Sequence, residues 1–353
     1  MLNIIRNLLQ PRIFLTIAML VFLNACNKPT QQYSHSSLHF GTLIDITLYG
    51  VTAEQANAAF KKLDEDFSYL HGAWSPWEAG SLRRTNSLIA TGKSFSAGPS
   101  VLPLIEKSRI ISSNTNNLFN PAIGQLINLW QFHKHEDPEI KPPSDKRIRE
   151  LVDHNPQLSD LKMNGIKMHS TNPEVSLNFG AFAKGYAIDL EIQQLKNMGI
   201  KNAIINTGGD LKAIGSHGKR PWNIAIQHPR KDTWLAQLKT RGEESIFTSG
   251  DYERYYIYEG KRYHHILDPR TGYPASGVQS VSVIHTDSGL ADAAATALFV
   301  AGPEQWLSIA KKLALTEIML VDDTGKVHVT PAMHKRLVFN QEIETTIMVT
   351  APL

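Results

Sequence analysis

The sequence reads SIFTSGDY at residues 245–252, YHHILDPRTGYP at 263–274 and ADAAAT at 291–296. The first two blocks and the segment between them are rich in β-branched and aromatic residues. They predict strands at 245–248, 252–258 and 262–266, the last two joined by a hairpin at Glu259-Gly260. The third block predicts a helix over 288–300. Hairpins interspersed with helices favour an α+β fold with mixed or antiparallel sheets over a doubly wound parallel sheet.

Similar patterns extend outward from this stretch. A capping box of Thr52 with Gln55 starts a predicted helix whose apolar residues, from Ala56 to Leu70, follow the helical period. Further helices are predicted at 100–113, at 121–130 behind an Asn120 N-cap, and at 181–198; further strands at 43–49, 175–179, 203–206, 222–226 and 317–321. No internal repeat or long linker interrupts them. The pattern predicts one continuous unit, with a division into two lobes left open.

Composition excludes some functions. Of the 353 residues, 42% are hydrophobic and 20% charged, which is typical of a globular protein. The formal net charge is only +3, and Lys and Arg form no long runs. The sequence therefore indicates neither nucleic-acid binding nor a polybasic membrane-binding surface.

The first residues predict export. Arg6 and Arg12 precede an apolar run at 13–23 that is too short to span a bilayer. This pattern is typical of a signal peptide over 1–25. The run ends in LNAC, and Cys26 is the only cysteine of the chain. A lone cysteine at this point favours lipid attachment over an ordinary secretory signal followed by a chance cysteine. We expect a lipidated Cys26 with a polar tether over 26–37, a folded domain over 38–340 and a C-terminal tail over 341–353. The domain would lie on the periplasmic side of the inner membrane.

Three local patterns are ambiguous. Two tryptophans in the loop WSPWEAGSL at 74–82 either plug the core or form a stacking platform for a planar ring. Small residues at 180–187 either let an anion approach a helix N-terminus or permit tight helix packing. The glycine pair Gly208-Gly209 follows a strand, as phosphate-binding turns do, but a glycine pair alone is weak evidence.

Asp292 and Thr296 lie one helical turn apart, so both side chains project from one face of the predicted helix. A carboxylate and a hydroxyl are half of the oxygen donor set that a hard cation such as Mg²⁺ uses. The alternative is that Thr296 bonds back to the helix carbonyl while Asp292 faces water.

Taken together, these blocks resemble the ApbE family of FAD:protein FMN transferases. The resemblance extends from Phe40 to about residue 330, and its motifs stand in the family's order. They are FGT at 40–42, the Trp loop to LRRTN at 82–86, FNPAIG at 119–124 with Trp130, FGAFAKGYAID at 179–189, NTGGD at 206–210, TSGDY at 248–252, HILDPRTG at 265–272, and Ala291-Asp292 with Thr296. The resemblance implies a single T-fold-like catalytic unit and a bacterial lipoprotein.

The resemblance also implies roles for residues. FAD would bind with Mg²⁺ at its pyrophosphate, and FMN would pass to a Thr or Ser hydroxyl of an acceptor protein with release of AMP. His265 matches the position of the base, whereas Asp292, Thr296 and the Ala181 carbonyl match the metal ligands. His264, the neighbour of His265, should point to the opposite face of the strand, so that only one of the two imidazoles enters the site.

Residues that match the family's FAD contacts are Phe40, Trp77, Leu118, Phe119, Asn120, Asn178, Lys184 and Ile266, with Asp268 and Arg270 supporting the site. The sequence departs from many family members in carrying Asn at 120 and 178 instead of Asp, Ala295 instead of a further carboxylate, and Phe40 instead of Met. The expected partners are FAD and envelope redox proteins such as subunits of Na⁺-translocating NADH:quinone reductase. The rival functions are Mg²⁺-dependent hydrolysis of FAD and non-catalytic FAD binding by a lipoprotein.

Overall fold

The computed structural model describes residues 31–134, 137 and 139–353. The predicted signal peptide and Cys26 lie outside the described residues. The strands are β1 (Gln32–His39), β2 (Thr42–Tyr49), β3 (Phe95–Ser96), β4 (Leu161–Asn164), β5 (Lys167–Ser170), β6 (Ala203–Thr207), β7 (Asp210–Ile214), β8 (Asn223–Gln227), β9 (Trp234–Lys239), β10 (Glu244–Gly250), β11 (Tyr255–Tyr258), β12 (Lys261–His264), β13 (Val278–His285), β14 (Glu317–Asp322), β15 (Val327–Val329), β16 (Val338–Phe339) and β17 (Ile347–Val349). The α-helices are α1 (Ala53–Trp74), α2 (Ser81–Ile89), α3 (Leu102–Asn114), α4 (Gly124–Trp130), α5 (Asp145–Asp153), α6 (Ala183–Asn197), α7 (Ser288–Lys312) and α8 (Pro331–His334).

A nine-stranded sheet organises the chain, in the order β1-β2-β6-β7-β10-β13-β14-β15-β17. Its neighbouring strands are antiparallel except for β15 and β17, which are parallel. The predicted α+β class with antiparallel-dominated sheets is confirmed. The hairpin at Glu259-Gly260 also forms, and it joins β11 to β12 in a separate two-stranded sheet.

Each face of the large sheet is covered by a different layer. Helices α1, α6 and α7 pack on one face, and the three-stranded sheet β16-β9-β8 packs on the other. Strand β14 shows how alternation serves both layers: Ile318 and Leu320 belong to the helix-side core, and Met319 and Val321 to the core on the opposite side. The layers therefore bury both faces of this strand.

Helix α1 begins as predicted. Thr52 Oγ1 accepts the Gln55 N–H at 3.2 Å, and the Gln55 side chain accepts the Thr52 N–H at 3.0 Å. Helix α7 begins at the predicted residue, with Asp287 as N-cap accepting from Leu290 N at 2.8 Å, but it continues beyond residue 300. Its axis breaks at Gly302, whose φ of 72° is left-handed, and Pro303 starts the next turn.

Two predicted elements are wrong. Residues 175–179 form no ladder; Ser176 makes one bridge with Ile123, and the Asn86 side chain bonds both the N–H and the C=O of Leu177. Helix α4 starts at Gly124 rather than at Pro121. Asn120 Oδ1 instead accepts the Ala122 N–H at 3.0 Å in a local turn, which competes with helix formation.

The predicted tether is also partly wrong. Residues 32–39 form β1, paired with β2 from Gln32 opposite Tyr49 to His39 opposite Thr42. The segment reads as polar because β1 is an edge strand, yet alternate residues still face the helices, and His35 stacks on Phe60 at 5.3 Å between ring centroids. Within the C-terminal tail, β17 adds a parallel strand to the large sheet.

Among the described residues, no helix has the length and apolarity needed to cross a membrane.

Candidate active site

Six charged or titratable side chains from five parts of the chain meet at one end of the sheet. We call them the charged cluster. Its members are Lys184 in the first turn of α6, Asp210 at the start of β7, Glu253 and Arg254 between β10 and β11, His265 directly after β12, and Asp292 in α7. The Lys184 ammonium donates to Asp210 Oδ2, and Asp210 Oδ1 accepts the Thr248 N–H at 2.9 Å. The sheet and both helices therefore share one polar site.

The charges of the cluster are strongly coupled. Burial favours the neutral amine of Lys184, yet Asp210, Asp292 and Glu253 together hold the pKa of Lys184 above its ordinary value. Burial raises the pKa of Asp292, partly opposed by Lys184. Three carboxylates thus face two basic residues and one histidine.

Asp292 and Thr296 both point into the protein. Asp292 is only 5% exposed and its Oδ2 accepts the Gly185 N–H at 3.1 Å. The Thr296 hydroxyl lies 3.1 Å from Ser249 Oγ in β10 rather than bonding back to its own helix. The alternative, in which Thr296 bonds back to the helix carbonyl and Asp292 faces water, is therefore not observed.

The donors around Asp292 fit a hard cation. Within the described part of the chain, no three His, Cys, Asp or Glu side chains come together as a metal site. A cation at Asp292 would therefore draw on oxygens of other kinds, namely the Thr296 hydroxyl, the Ala181 carbonyl and water, which suits Mg²⁺. An anionic pyrophosphate entering beside three carboxylates also requires additional positive charge. The residues present fit the group that the family implies.

The two adjacent histidines occupy different environments, as the strand geometry predicts. His264 is buried, with Nε2 at 2.9 Å from the Ala275 carbonyl and Nδ1 accepting from Ile266 N at 3.3 Å. His265 turns toward the charged cluster, where Nε2 lies 3.9 Å from Glu253 Oε2. Its Nδ1 is buried and has no hydrogen-bond partner among the described residues. His264 is thus committed to the fold, whereas His265 retains a free ring nitrogen.

His265 is held neutral. Burial lowers its pKa well below the ordinary value, and the positive charges of Arg254 and Lys184 and the neighbouring His264 lower it further. A neutral imidazole can accept a proton at neutral pH.

A rigid turn follows His265. Ile266 is buried, and the Asp268 carboxylate receives the Arg270 guanidinium at 2.8 to 3.1 Å. Arg270 also donates to the Val300 carbonyl of α7 at 3.1 Å. Asp268 and Arg270 therefore tie the segment that carries His265 to the helix that carries Asp292.

One of the residues predicted on the flavin side, Phe40, lies beside the Trp loop. Phe40 sits at the β1–β2 turn with φ of 54°, and its N–H donates to His71 Nδ1 at 2.8 Å. Its ring lies 6.4 Å from Trp74, which stacks on Tyr186 at 5.7 Å. Tyr186 follows Gly185 in α6, so this aromatic group and the charged cluster share the start of that helix.

The two tryptophans have separate roles. Trp74 is 5% exposed and its Nε1 donates to the Ser100 carbonyl at 3.0 Å, as expected of a core plug. Trp77 is 43% exposed, donates to Asn128 Oδ1 at 3.0 Å, and has its ring 5.0 Å from that of His133. Only Trp77 offers a ring to a ligand.

This difference leads to a prediction. Trp77→Ala should weaken FAD binding by about tenfold, since ring stacking contributes roughly 1–3 kcal/mol, with little change in melting temperature. The matched variant Trp74→Ala should instead lower the melting temperature because it empties a core position. Fluorescence titration with FAD and thermal melts of both variants test this. Unchanged FAD affinity in Trp77→Ala would contradict the stacking role.

The remaining predicted contacts are largely engaged within the fold. Leu118 and Phe119 are buried in the helix-side core. Asn120 donates to the Pro156 carbonyl at 2.9 Å in addition to its turn bond, and Asn178 Oδ1 accepts the Gly180 N–H at 2.9 Å. Asn120 thereby shapes the backbone before α4, and Asn178 shapes the backbone before α6. The structure shows why Asn is accommodated at 120 and 178, because both side chains complete local turns.

Sequence reasoning missed three members of the cluster. Asp210 directly follows the Gly208-Gly209 turn, and this position after a glycine pair is the one sequence signal that could indicate a role for it. Glu253 and Arg254 lie in an ordinary polar turn, and no sequence pattern distinguishes them.

Comparison with known proteins agrees with this architecture. The ApbE family matches residues 40–320. The FAD:protein FMN transferase of Rhodobacter capsulatus is 38% identical over 309 residues, which cover 88% of this chain and 59% of that protein, so the chain spans less than two thirds of this relative. The FAD:protein FMN transferase of Klebsiella pneumoniae is 34% identical over 280 residues, covering 77% of this chain and 84% of that protein.

A solved structure has the same fold. The ApbE protein of Thermotoga maritima superposes with a TM-score of 0.79 at 27% identity, over 87% of this chain and 99% of that one. The sheet and the helix layer therefore define a known class of protein. The chain belongs to the ApbE family.

Proposed function

We propose that the chain is a Mg²⁺-dependent FAD:protein FMN transferase that moves FMN from FAD to a Thr or Ser hydroxyl of an acceptor protein and releases AMP. As a member of the ApbE family it is an enzyme, a transferase, like its curated relatives. The observation that carries the proposal is the neutral His265, whose Nδ1 is unpartnered among the described residues while the ring faces Lys184, Glu253 and Arg254.

The reaction assigns a task to each of these groups. His265 takes the proton from the acceptor hydroxyl as its oxygen forms a bond to the phosphorus of the FMN half. The bond from that phosphorus to the bridging oxygen breaks, and AMP leaves with the electron pair. Lys184 stays protonated and supplies positive charge to the phosphate oxygens. Asp292, Thr296 and the Ala181 carbonyl would hold Mg²⁺, which neutralises charge that develops on the phosphates when it is bound.

The flavin contacts complete the proposed site. Trp77 would provide an exposed ring for the flavin, and Phe40 and the backbone around residues 118–120 and 178 would supply further contacts. Ile266, Asp268 and Arg270 hold the segment after His265 in place.

An acceptor assay tests the proposed reaction. The purified protein is incubated with FAD, Mg²⁺ and an acceptor that carries the family's Ser/Thr target motif. We expect flavin fluorescence that stays with the acceptor after denaturing electrophoresis, together with one AMP for each flavin transferred. AMP production without labelled acceptor would support FAD hydrolysis instead, and bound FAD without AMP would support a flavin-binding lipoprotein.

The location is part of the proposal. A signal peptide over 1–25 and a lipid on Cys26 would place the catalytic domain on the periplasmic side of the inner membrane. There the acceptors would be envelope redox proteins such as subunits of Na⁺-translocating NADH:quinone reductase. Export and anchoring are supported by the sequence of the first 26 residues alone.

The anchor yields a direct prediction. Cys26→Ser should move the protein from the membrane fraction to the soluble periplasmic fraction, because acyl chains contribute about 0.8 kcal/mol per buried methylene. Cell fractionation followed by immunoblotting measures the distribution, with Ser37→Ala as the matched control that keeps the cysteine. Retention of Cys26→Ser in the membrane would refute lipid anchoring at this residue.

A further inference from the structure

Helices α6 and α7 touch through their backbones near the charged cluster. A Cβ atom at Gly185 would lie 2.2 Å from the Ser288 carbonyl oxygen, so no other residue fits there without displacing a helix. Gly185 is in the first turn of α6 and Ser288 begins α7. The N-terminal turns of the two helices therefore cross in direct contact.

At this crossing, each helix provides a carboxylate that accepts backbone N–H groups of the other helix. Asp292 of α7 accepts the Gly185 N–H at 3.1 Å. Asp189 of α6 accepts the N–H groups of Ser288 at 2.8 Å and Gly289 at 3.3 Å. N–H groups in a first helical turn have no partner within their own helix, so each aspartate satisfies donors that would otherwise be unpaired. Each aspartate also follows by four residues the small residue at the contact.

Asp189 is anchored independently of Asp292. Its Oδ1 accepts from Lys212 Nζ at 2.7 Å and from Ser288 Oγ at 2.8 Å. Lys212 is 5% exposed and also donates to the Thr286 carbonyl at 2.7 Å, just before α7, and pairs with Glu243 at 3.0 Å. Strand β7, which carries Lys212, thus fixes the Asp189 carboxylate, and Asp189 in turn fixes the first turn of α7.

We propose that Asp189 is a positioning residue for Asp292. Through the hydrogen bonds between α6 and α7 it fixes the axial position and rotation of α7. It thereby directs Asp292 and Thr296 toward the proposed site for the cation and the pyrophosphate. This inference rests on the proposed function for its catalytic consequence, but its structural part does not. A misaligned first turn of α7 would leave the Gly185 N–H without its acceptor.

Hydrogen exchange at the Gly185 amide tests the structural part. In the wild-type protein this amide should be protected, because Asp292 covers it. Asp189→Ala should speed its exchange by about tenfold or more, since a local opening that is 1.4 kcal/mol easier is populated ten times more often. Asp189→Asn, which keeps the shape and one oxygen, should give an intermediate rate. Asp287→Ala is the matched control, because it removes the ordinary N-cap of the same helix but keeps the hydrogen bonds between the two helices.

The catalytic consequence is read from the Mg²⁺ dependence of FMN transfer. Asp189→Ala should raise the Mg²⁺ concentration for half-maximal transfer by about tenfold, as the loss of an outer support of a ligand does, whereas Asp287→Ala should leave it within about twofold. Unchanged Gly185 exchange in both Asp189 variants, or an equal effect of Asp287→Ala, would overturn the inference. A wild-type protein without transfer activity would refute the proposed function, while the exchange rates would still decide the role of Asp189.

Discussion

Asp292→Ala should lower FMN transfer by at least about 100-fold at millimolar Mg²⁺, because a metal that stabilises transition-state charge contributes several kcal/mol. The residual activity should respond weakly to added Mg²⁺. A steady-state assay of acceptor labelling across a Mg²⁺ titration measures both effects. Full activity at low Mg²⁺ in the variant would contradict the assignment of Asp292 as a ligand.

Loss of activity in this variant should not come from unfolding. Burial raises the pKa of Asp292 in the folded state. A carboxyl with a raised folded pKa favours folding below its unfolded pKa, and that contribution is lost as the pH rises through the folded pKa. At pH 8 ionised Asp292 therefore weakens the fold, which offsets the loss of its bond to the Gly185 N–H, so the melting temperature of Asp292→Ala should stay close to that of the wild type.

A matched control separates the site from general effects. Asp322→Asn alters another buried carboxylate, which bonds Thr324, Lys326 and His328 between β14 and β15. It should lower the melting temperature, because those bonds stabilise the turn. Its Mg²⁺ dependence should match that of the wild type.

His265→Ala should lower the turnover number by about 100-fold or more, the usual contribution of a general base, and leave the dissociation constant for FAD nearly unchanged. The physical reason is that the imidazole takes the proton of the acceptor hydroxyl but does not pack against the bound flavin. Turnover and FAD titration are measured on the same preparation. A loss of FAD binding equal to the loss of turnover would recast His265 as structural.

The pH profile gives a second test. Only neutral imidazole accepts a proton, and the pKa of His265 is well below its ordinary value. At saturating Mg²⁺, which keeps Asp292 ionised, transfer should therefore stay level from neutral pH down through about 6.5, the ordinary pKa of histidine, and fall only in more acidic solution. An acidic limb centred at or above neutral pH would contradict this environment for His265.

The neighbouring histidine supplies the matched control. His264→Gln removes an imidazole that contacts the Ala275 carbonyl and the Ile266 N–H inside the fold. This change should lower the melting temperature while turnover per folded molecule stays near the wild-type value. The opposite pattern in the two variants would exchange the roles of the two histidines.

Several elements could be predicted because their signals are local. The capping box of α1, the hairpin at Glu259-Gly260 and the shared face of Asp292 and Thr296 each depend on residues a few positions apart. The polar strand β1 was missed for the opposite reason. An edge strand needs few apolar residues, and its pairing partner determines it more than its own composition does.

Residues 175–179 show the same limit from the other side. Their composition is that of a strand, but Asn86 occupies the position of a neighbouring strand and bonds the backbone of Leu177. No pattern in the segment itself records that partner. The assignment of helix at Pro121 failed similarly, because the Asn120 side chain closes a turn within a buried site.

The sequence by itself determined the fold class and the family, because these depend on periodicity and on motifs in register, and it predicted His265, Asp292 and Thr296 as residues for chemistry. Only the tertiary structure placed Lys184, Asp210, Glu253 and Arg254 around them. It also distinguished the buried Trp74 from the exposed Trp77, and showed that Asp189 and Asp292 each accept N–H groups of the other's helix. These features join residues far apart in the chain. Their electrostatic coupling depends on distance and burial in space, which spacing along the sequence does not encode.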